Sequence, residues 1–204
     1  MYKDLESRLR RIREAIEEET QTWITQGAKA FQTSDRVASN LKSQFDQCQL
    51  YFSSSPKGIT LTLEMEKDNP FVWTMVTPIP PKGEIDVKVY FGRPMTKWDG
   101  GLFTLRLIFS PLFPAQQPRV RIVTPFFHAN VTKDGIPYYR VSRPESAQAH
   151  IEALLDVFEK DMNPDPSCVL DRKCAEMYWR RGQEGKKEYA KMIRKVVTRS
   201  VEYE

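Results

Sequence analysis

Residues 98–120 read Trp98-Asp99-Gly100-Gly101-Leu102-Phe103-Thr104-Leu105-Arg106-Leu107-Ile108-Phe109-Ser110-Pro111-Leu112-Phe113-Pro114-Ala115-Gln116-Gln117-Pro118-Arg119-Val120. Phe103, Leu105, Leu107 and Phe109 recur with a period of two, which lays them along one face of a strand. Asp99-Gly100-Gly101 supplies a turn just before it, since these residues tolerate tight backbone geometry. Pro111, Pro114 and Pro118 then break regular structure, and Val120 and Ile122 mark another strand. Upstream, Ile59, Leu61, Leu63 and Met65 alternate with polar residues. Phe71, Trp73 and Met75 mark the next strand, and Val87, Val89 and Phe91 a further one. The intervening loops leave no room for crossover helices, so an antiparallel meander is expected.

Helices flank that meander. No proline occurs in residues 1–55 and none follows Pro166, whereas twelve of the fourteen lie from Pro56 to Pro144. Proline is costly inside a helix, so the two ends are free to be helical and the middle is not. A helix is expected from Asp35 to about Phe52, with Val37, Leu41, Phe45, Cys48 and Phe52 on one face and Gly58 closing the region. Cys48 sits on that apolar stripe and reads as core. After Pro144 the helical period returns: Ile151, Leu154, Leu155 and Phe158, then Leu170, Cys174, Met177 and Tyr178, then Tyr189, Met192, Ile193, Val196 and Val197. Helices packed on a meander make an α+β layered domain.

The chain has 204 residues and a mass of 23.8 kDa, enough for one ordinary domain with an appendage. A hydrophobic content of 40% with 11% aromatics argues against disorder. No apolar run reaches membrane-spanning length, and residues 1–20 carry charges throughout, so no signal peptide is expected within them. Three scattered cysteines and two histidines do not make a disulfide framework or a zinc site, so no metal and no cofactor are expected. An intracellular home, cytoplasmic or nuclear, follows from the same cysteine usage. A net charge of +4 from 31 basic and 27 acidic residues describes a mixed surface without a nucleic-acid footprint. Gly-rich phosphate loops are absent from the sequence.

Ahead of the domain, Leu5, Leu9, Ile12, Ile16 and Trp23 fall on one seam of a helix at alternating spacings of four and three, broken once at Glu19. Charged residues cover the other faces. Residues 1–33 therefore read as an amphipathic helical extension and residues 36–204 as the main domain. The seam fits a helix packed on its own domain equally with a coiled-coil or partner-docking helix.

From residue 36 to about 200, the order of elements and the motifs resemble the ubiquitin-conjugating enzyme family. That family has a helix, a four-stranded antiparallel meander, a Tyr-x-Gly-Gly turn, a proline-rich loop, a His-Pro-Asn element and C-terminal helices. Here the corresponding stretches are Trp98-Asp99-Gly100-Gly101, residues 109–120, and His128-Ala129-Asn130. The last is the stretch from Asn163 through Pro164, Pro166, Leu170, Ala175 and Tyr178. No one of these motifs is specific, but four in the right order are. The resemblance implies this α+β fold, with the strand at Val87–Phe91 as an additional member.

The resemblance also marks a substitution. Family members carry ubiquitin on a cysteine ten residues after the histidine, and here that position is Tyr138, within Gly135-Ile136-Pro137-Tyr138-Tyr139. Transthiolation needs a thiolate that both accepts the acyl group and leaves easily. A phenol with a pKa near ~10 does neither at neutral pH. Ala115 stands where the family often presents an aromatic residue to ligases, and an insertion with Pro78, Pro80, Pro81 and Gly83 separates two strands.

Asn130 occupies the place of the family's oxyanion-stabilising asparagine; its plainer reading is a side chain that holds a loop through backbone hydrogen bonds. His128 likewise reads as loop packing. Cys168, after Asp165-Pro166-Ser167, falls at an expected helix start beside the groove, where a helix N-terminus lowers thiol pKa values. Three functions follow. The first is a non-catalytic interaction module binding ubiquitin or a ubiquitin-like protein, a conjugating enzyme or a ligase. The second is an enzyme that uses Cys168 with Asn130 as oxyanion donor. The third is a scaffold assembling through the N-terminal helix.

Overall fold

The structure is a computed structural model, which describes residues 2–30, 35–54, 61–66, 69–76, 98, 100–159, 162–179 and 183–202. In chain order the elements are α1 (Tyr2–Ala30), α2 (Arg36–Ser53), β1 (Thr62–Met65), β2 (Val72–Val76), β3 (Thr104–Ile108), β4 (Arg119–Ile122) and α3 (Ala147–Glu159). A 3₁₀ turn (Pro166–Cys168), α4 (Arg172–Trp179) and α5 (Gln183–Val201) complete them. The expected residues Gly58, Ile59, Asp99, the Pro78–Gly83 insertion and the Val87–Phe91 strand lie outside the described residues.

The four strands run β1-β2-β3-β4 with every neighbour antiparallel. The register sets Trp73 opposite Leu107, Met75 opposite Leu105, and Leu105 opposite Ile122. Side chains alternate across a strand, so these residues share one face. The buried stripe of α2 (Leu41, Phe45, Cys48, Phe52) and that of α3 (Ile151, Leu154, Leu155, Phe158) cover that face. Phe45 meets Trp73 edge-on at 5.1 Å, and Trp73 lies 4.6 Å from Phe109. The Trp73 indole N–H donates to the Pro70 carbonyl at 2.7 Å, so its polar edge is satisfied within the core. Asp35 begins α2 by accepting from the Val37 and Ala38 N–H groups at 2.8 and 3.0 Å, an N-cap. α4 starts later than the periodicity predicts: Asp171 accepts from the Cys174 N–H at 3.0 Å, and Leu170 stays exposed ahead of the helix.

The opposite face of the sheet carries α1. Trp23 and Ile24 pack on Val72 and Ile108, a second small core. Gly27 lets the helix approach closely, since a Cβ there would lie 2.7 Å from the Phe71 Cβ. Asn69 donates to the Ile24 carbonyl at 2.8 Å. Arg119 of β4 stacks over the Trp23 ring at 4.1 Å, donates to the Ile16 carbonyl at 2.7 Å and to the Thr20 hydroxyl, and pairs with Glu19. The seam's single break, Glu19, is thus where the helix meets an arginine of the sheet. Trp23, expected as a partner-docking residue, is instead 5% exposed and belongs to the fold. Leu5, Leu9, Ile12 and Ile16 remain 46–56% exposed.

Candidate functional site

Behind β4 the chain makes a compact loop that positions Tyr138. Thr132 and Ile136 close a turn: the Thr132 N–H donates to the Ile136 carbonyl at 2.9 Å, and the Ile136 N–H to the Thr132 hydroxyl at 2.9 Å. Gly135 in that turn has φ +82°, and a Cβ there would lie 2.1 Å from the Ile122 carbonyl oxygen. Only glycine fits both constraints. Val131 bridges Pro137, and the Tyr138 N–H donates to the Asn130 carbonyl at 2.8 Å. Tyr138 and Asn130 therefore sit side by side, as the family resemblance implies.

Their side chains have different partners. The Tyr138 hydroxyl accepts from Arg140 Nε at 2.7 Å, with the guanidinium carbon 5.7 Å from the ring centre. Asn130 turns inward. Its Oδ1 accepts from the Asn163 N–H at 2.8 Å, and its Nδ2 donates to the carbonyls of Asn163 at 3.0 Å and Cys168 at 2.9 Å. Both amide protons are thereby engaged by backbone carbonyls. The Leu170 and Asp171 N–H groups donate back to the Ala129 carbonyl at 2.7 and 2.9 Å, so two loops distant in sequence are stitched together. His128 is buried, accepts from the Asn130 N–H on Nδ1 at 3.1 Å, and stacks on Phe126.

Cys168 is not at a helix start. It is the last residue of the 3₁₀ turn, four positions before α4, and is 0% exposed. Its sulfur accepts from Asn163 Nδ2 at 3.4 Å. Cys48 and Cys174 are also buried, which pushes each thiol up to about 12, with Glu152 and Asp171 respectively adding to the effect. The three thiols are free and all lie inside the fold.

A groove of about 220 Å³ opens at Tyr138, between Arg140, Asn130 and Asn163 on one side and Ala153 and Asp156 of α3 on the other. Arg140 has its ionised form favoured first by the Tyr138 hydroxyl and further by Cys168 and Asp165. Asp165 is held below the usual carboxylate range by its hydrogen bonds from Ser167. In the proline-rich loop Phe113 is buried 5.1 Å from Phe109, while Leu112 and Ala115 face outward.

Sequence reasoning passed over His150. It is buried at the base of this loop, with Nε2 3.0 Å from the Pro144 carbonyl and Nδ1 3.3 Å from the Tyr139 hydroxyl. Since a carbonyl only accepts, Nε2 carries the proton and Nδ1 accepts from Tyr139. Burial lowers the His150 pKa, opposed by the Pro144 bond, and raises that of Tyr139. Its position in the first turn of an apolar helix gave it the look of an ordinary core residue. Among the described residues no group of His, Cys, Asp or Glu is arranged to hold a metal ion, and no helix is long and apolar enough to cross a membrane.

The helix–meander–helix layers, with this loop set against α3, define a ubiquitin-conjugating-type domain. A model of the ubiquitin-conjugating enzyme family matches residues 53–197, more than half of the chain, and the chain belongs to that family. It is similar to "Ubiquitin-conjugating enzyme E2 3" of Arabidopsis thaliana, 29% identical over 112 residues, covering 54% of this chain and 72% of the relative. It is also similar to "Ubiquitin-conjugating enzyme E2 1" of Caenorhabditis elegans, 28% identical over 123 residues, covering 55% of this chain and 57% of that relative. Membership implies interaction with ubiquitin and its ligases.

Proposed function

We propose that this chain acts in a ubiquitin or ubiquitin-like pathway by binding, as a ubiquitin-conjugating-type module that carries no acyl group. The observation that carries the reading is the pairing at the groove: a phenol at Tyr138, held by Arg140, stands where the family resemblance calls for a thiol. Two further features support it. Asn130 spends both amide protons on backbone carbonyls, so it serves as a brace for residues 163–168 rather than as a donor to a developing oxyanion. Cys168, the other nucleophile considered, lies under the surface and outside the groove lining. The partners are ubiquitin or a ubiquitin-like protein together with a conjugating enzyme or a ligase, inside the cell. Ala115 leaves the proline-rich loop without an aromatic anchor, so Leu112, 66% exposed beside it, takes over as the apolar contact toward a ligase.

The test is loading. With ubiquitin, its activating enzyme and ATP, the native chain forms no adduct that thiol reagents release, and Cys168 alkylates slowly until the fold is opened by denaturant. A thioester adduct that disappears in Cys168→Ser would overturn the proposal in favour of an enzyme. A positive control is Tyr138→Cys, which puts a thiol at the mouth of the groove.

A further inference from the structure

We propose that the exposed half of α1 pairs with the same half of a second copy of this chain, antiparallel, about a two-fold axis between Leu9 and Ile12. The inference concerns α1 alone and does not depend on the chemistry of the groove. Leu5, Leu9, Ile12 and Ile16 are about half exposed each, in a spacing of four, three and four. Isolated apolar residues on a surface mean little, whereas an unbroken seam over about 16 Å of helix is a contact surface. Leu5 and Trp23 are eighteen residues apart, five whole turns, so they share one line on the helix. At Trp23 that line is already covered by the chain's own sheet. The exposed seam is therefore the continuation of an existing interface: Ile16 borders a cavity of about 300 Å³ between α1 and the sheet, and Leu5, Leu9 and Ile12 carry the line onward from it.

Charge decides what covers it. In coiled-coil terms Leu5 and Ile12 occupy d positions and Leu9 and Ile16 occupy a positions. One flank then carries Glu6 and Arg13, and the other Arg8 and Ala15. In a parallel pair Arg8 would face the partner's Arg13, twice, a like-charge contact. In an antiparallel pair Leu5 lies opposite the partner's Ile16, and Leu9 opposite the partner's Ile12. Glu6 then faces the partner's Arg13 twice, and Arg8 faces only the partner's Ala15. Such an isologous contact closes as a dimer.

The position of the domains agrees. Antiparallel pairing sends the two sheets to opposite ends of the pair, whereas parallel pairing crowds them at the end where each seam is already occupied. The present partner of Arg13 is Asp134 at 3.8 Å, an exposed pair of small worth that does not hold it. Four aliphatic residues and their flanking stems from each copy bury on the order of 1,000 Å² in total, the lower limit of specific interfaces. The dimer is accordingly weak and concentration-dependent.

Sedimentation equilibrium of the full chain across the micromolar range tests this, and a monomer–dimer equilibrium is expected. The variant Leu9→Glu/Ile12→Glu raises the dimer dissociation constant by more than about tenfold, with an unchanged circular dichroism spectrum and melting temperature because both residues are exposed. Orientation is read from charge. Arg13→Glu weakens the antiparallel pair, and adding Glu6→Arg restores it. Tightening by Arg13→Glu alone would instead show a parallel pair and overturn the proposal. Cross-linking gives an independent readout against a background of three buried thiols: Leu5→Cys links to Ile16→Cys chains and not to itself. A chain that stays monomeric at every concentration would also overturn the proposal and leave the seam to a helix of another protein.

Discussion

The inner face of the sheet and the groove at Tyr138 are built by different physics, though the same loops and α3 serve both. The inner face is apolar area: Trp73, Met75, Leu105, Leu107 and Ile122 pressed against α2 and α3, with no order of contacts more specific than good packing. The groove is a set of backbone hydrogen bonds. Asn130 and the Ala129 carbonyl fasten the loop of residues 128–138 to residues 163–171, and the Tyr138 N–H ties the loop back onto the Asn130 carbonyl. A face held by area tolerates sequence change, provided that volume and pattern are kept. A groove held by individual amides does not, because each missing partner leaves a buried group unpaired. The two regions can therefore diverge in function independently: the layers keep the family's fold while the position beside Asn130 holds a phenol.

The largest effect is expected from breaking the first region. Leu105 is fully buried on β3, an inner strand of the sheet, opposite both Met75 and Ile122. Leu105→Ala costs about 2–5 kcal/mol in denaturant unfolding, from lost transfer energy and the cavity left behind. A cost below about 1 kcal/mol would place the residue at a tolerant surface and break the assignment of faces.

A smaller effect is expected in the second region. Asn130→Ala removes an acceptor from the Asn163 N–H and donors from two carbonyls. Water can serve the exposed Asn163 end, but the Cys168 carbonyl is buried. The expected loss is about 1–3 kcal/mol, the cost of a buried group left unsatisfied. A stability change within about 0.5 kcal/mol would mean that the amide is no brace, and would return Asn130 to the role of a donor waiting for substrate.

What was legible in the sequence divides along the same line. Periodicity encodes apolar faces, so the strands at Leu63, Trp73, Leu105 and Val120 and the stripes of α2, α3 and α5 could be read directly, down to Leu105 facing inward. Hydrogen-bonded loops leave no period. That Asn130 would engage residues 33 and 38 positions away could only be posed as one of two alternatives. Cys168 departs from the expected helix start because Asp-Pro-Ser starts a 3₁₀ turn as readily as an α-helix, and here Asp165 caps only three residues. α1 shows a different limit. One heptad stripe serves both its exposed and its docked half, and a pattern cannot say where a sheet ends. Two local signals did mark the change: the charged residue at Glu19, which meets Arg119, and the glycine at position 27, unfavourable in a helix unless something approaches closely. Only the first shows as a break in the spacing of the seam.

The smallest expected effect joins the two regions at His150, which belongs to α3 yet receives the Tyr139 hydroxyl from the groove loop. Its burial favours the neutral ring, so its pKa in the folded chain lies below the ordinary value of about 6.5. Above that value both folded and unfolded chains hold a neutral ring, and His150 makes no pH-dependent difference. As pH falls below about 6.5, the unfolded chain takes up a proton that the folded chain refuses. Stability must then decline with acid until the folded ring itself titrates. The slope from this one proton is at most about 1.4 kcal/mol per pH unit. Other groups also contribute to the acid limb, so the informative quantity is the difference between the native chain and His150→Gln, which keeps a donor and an acceptor and cannot protonate. Urea unfolding at a series of pH values between about 5 and 8 should show a shallower acid limb for the variant. Parallel limbs would mean that the ring is protonated in the folded state, and a His150 bearing protons on both nitrogens could not accept from Tyr139.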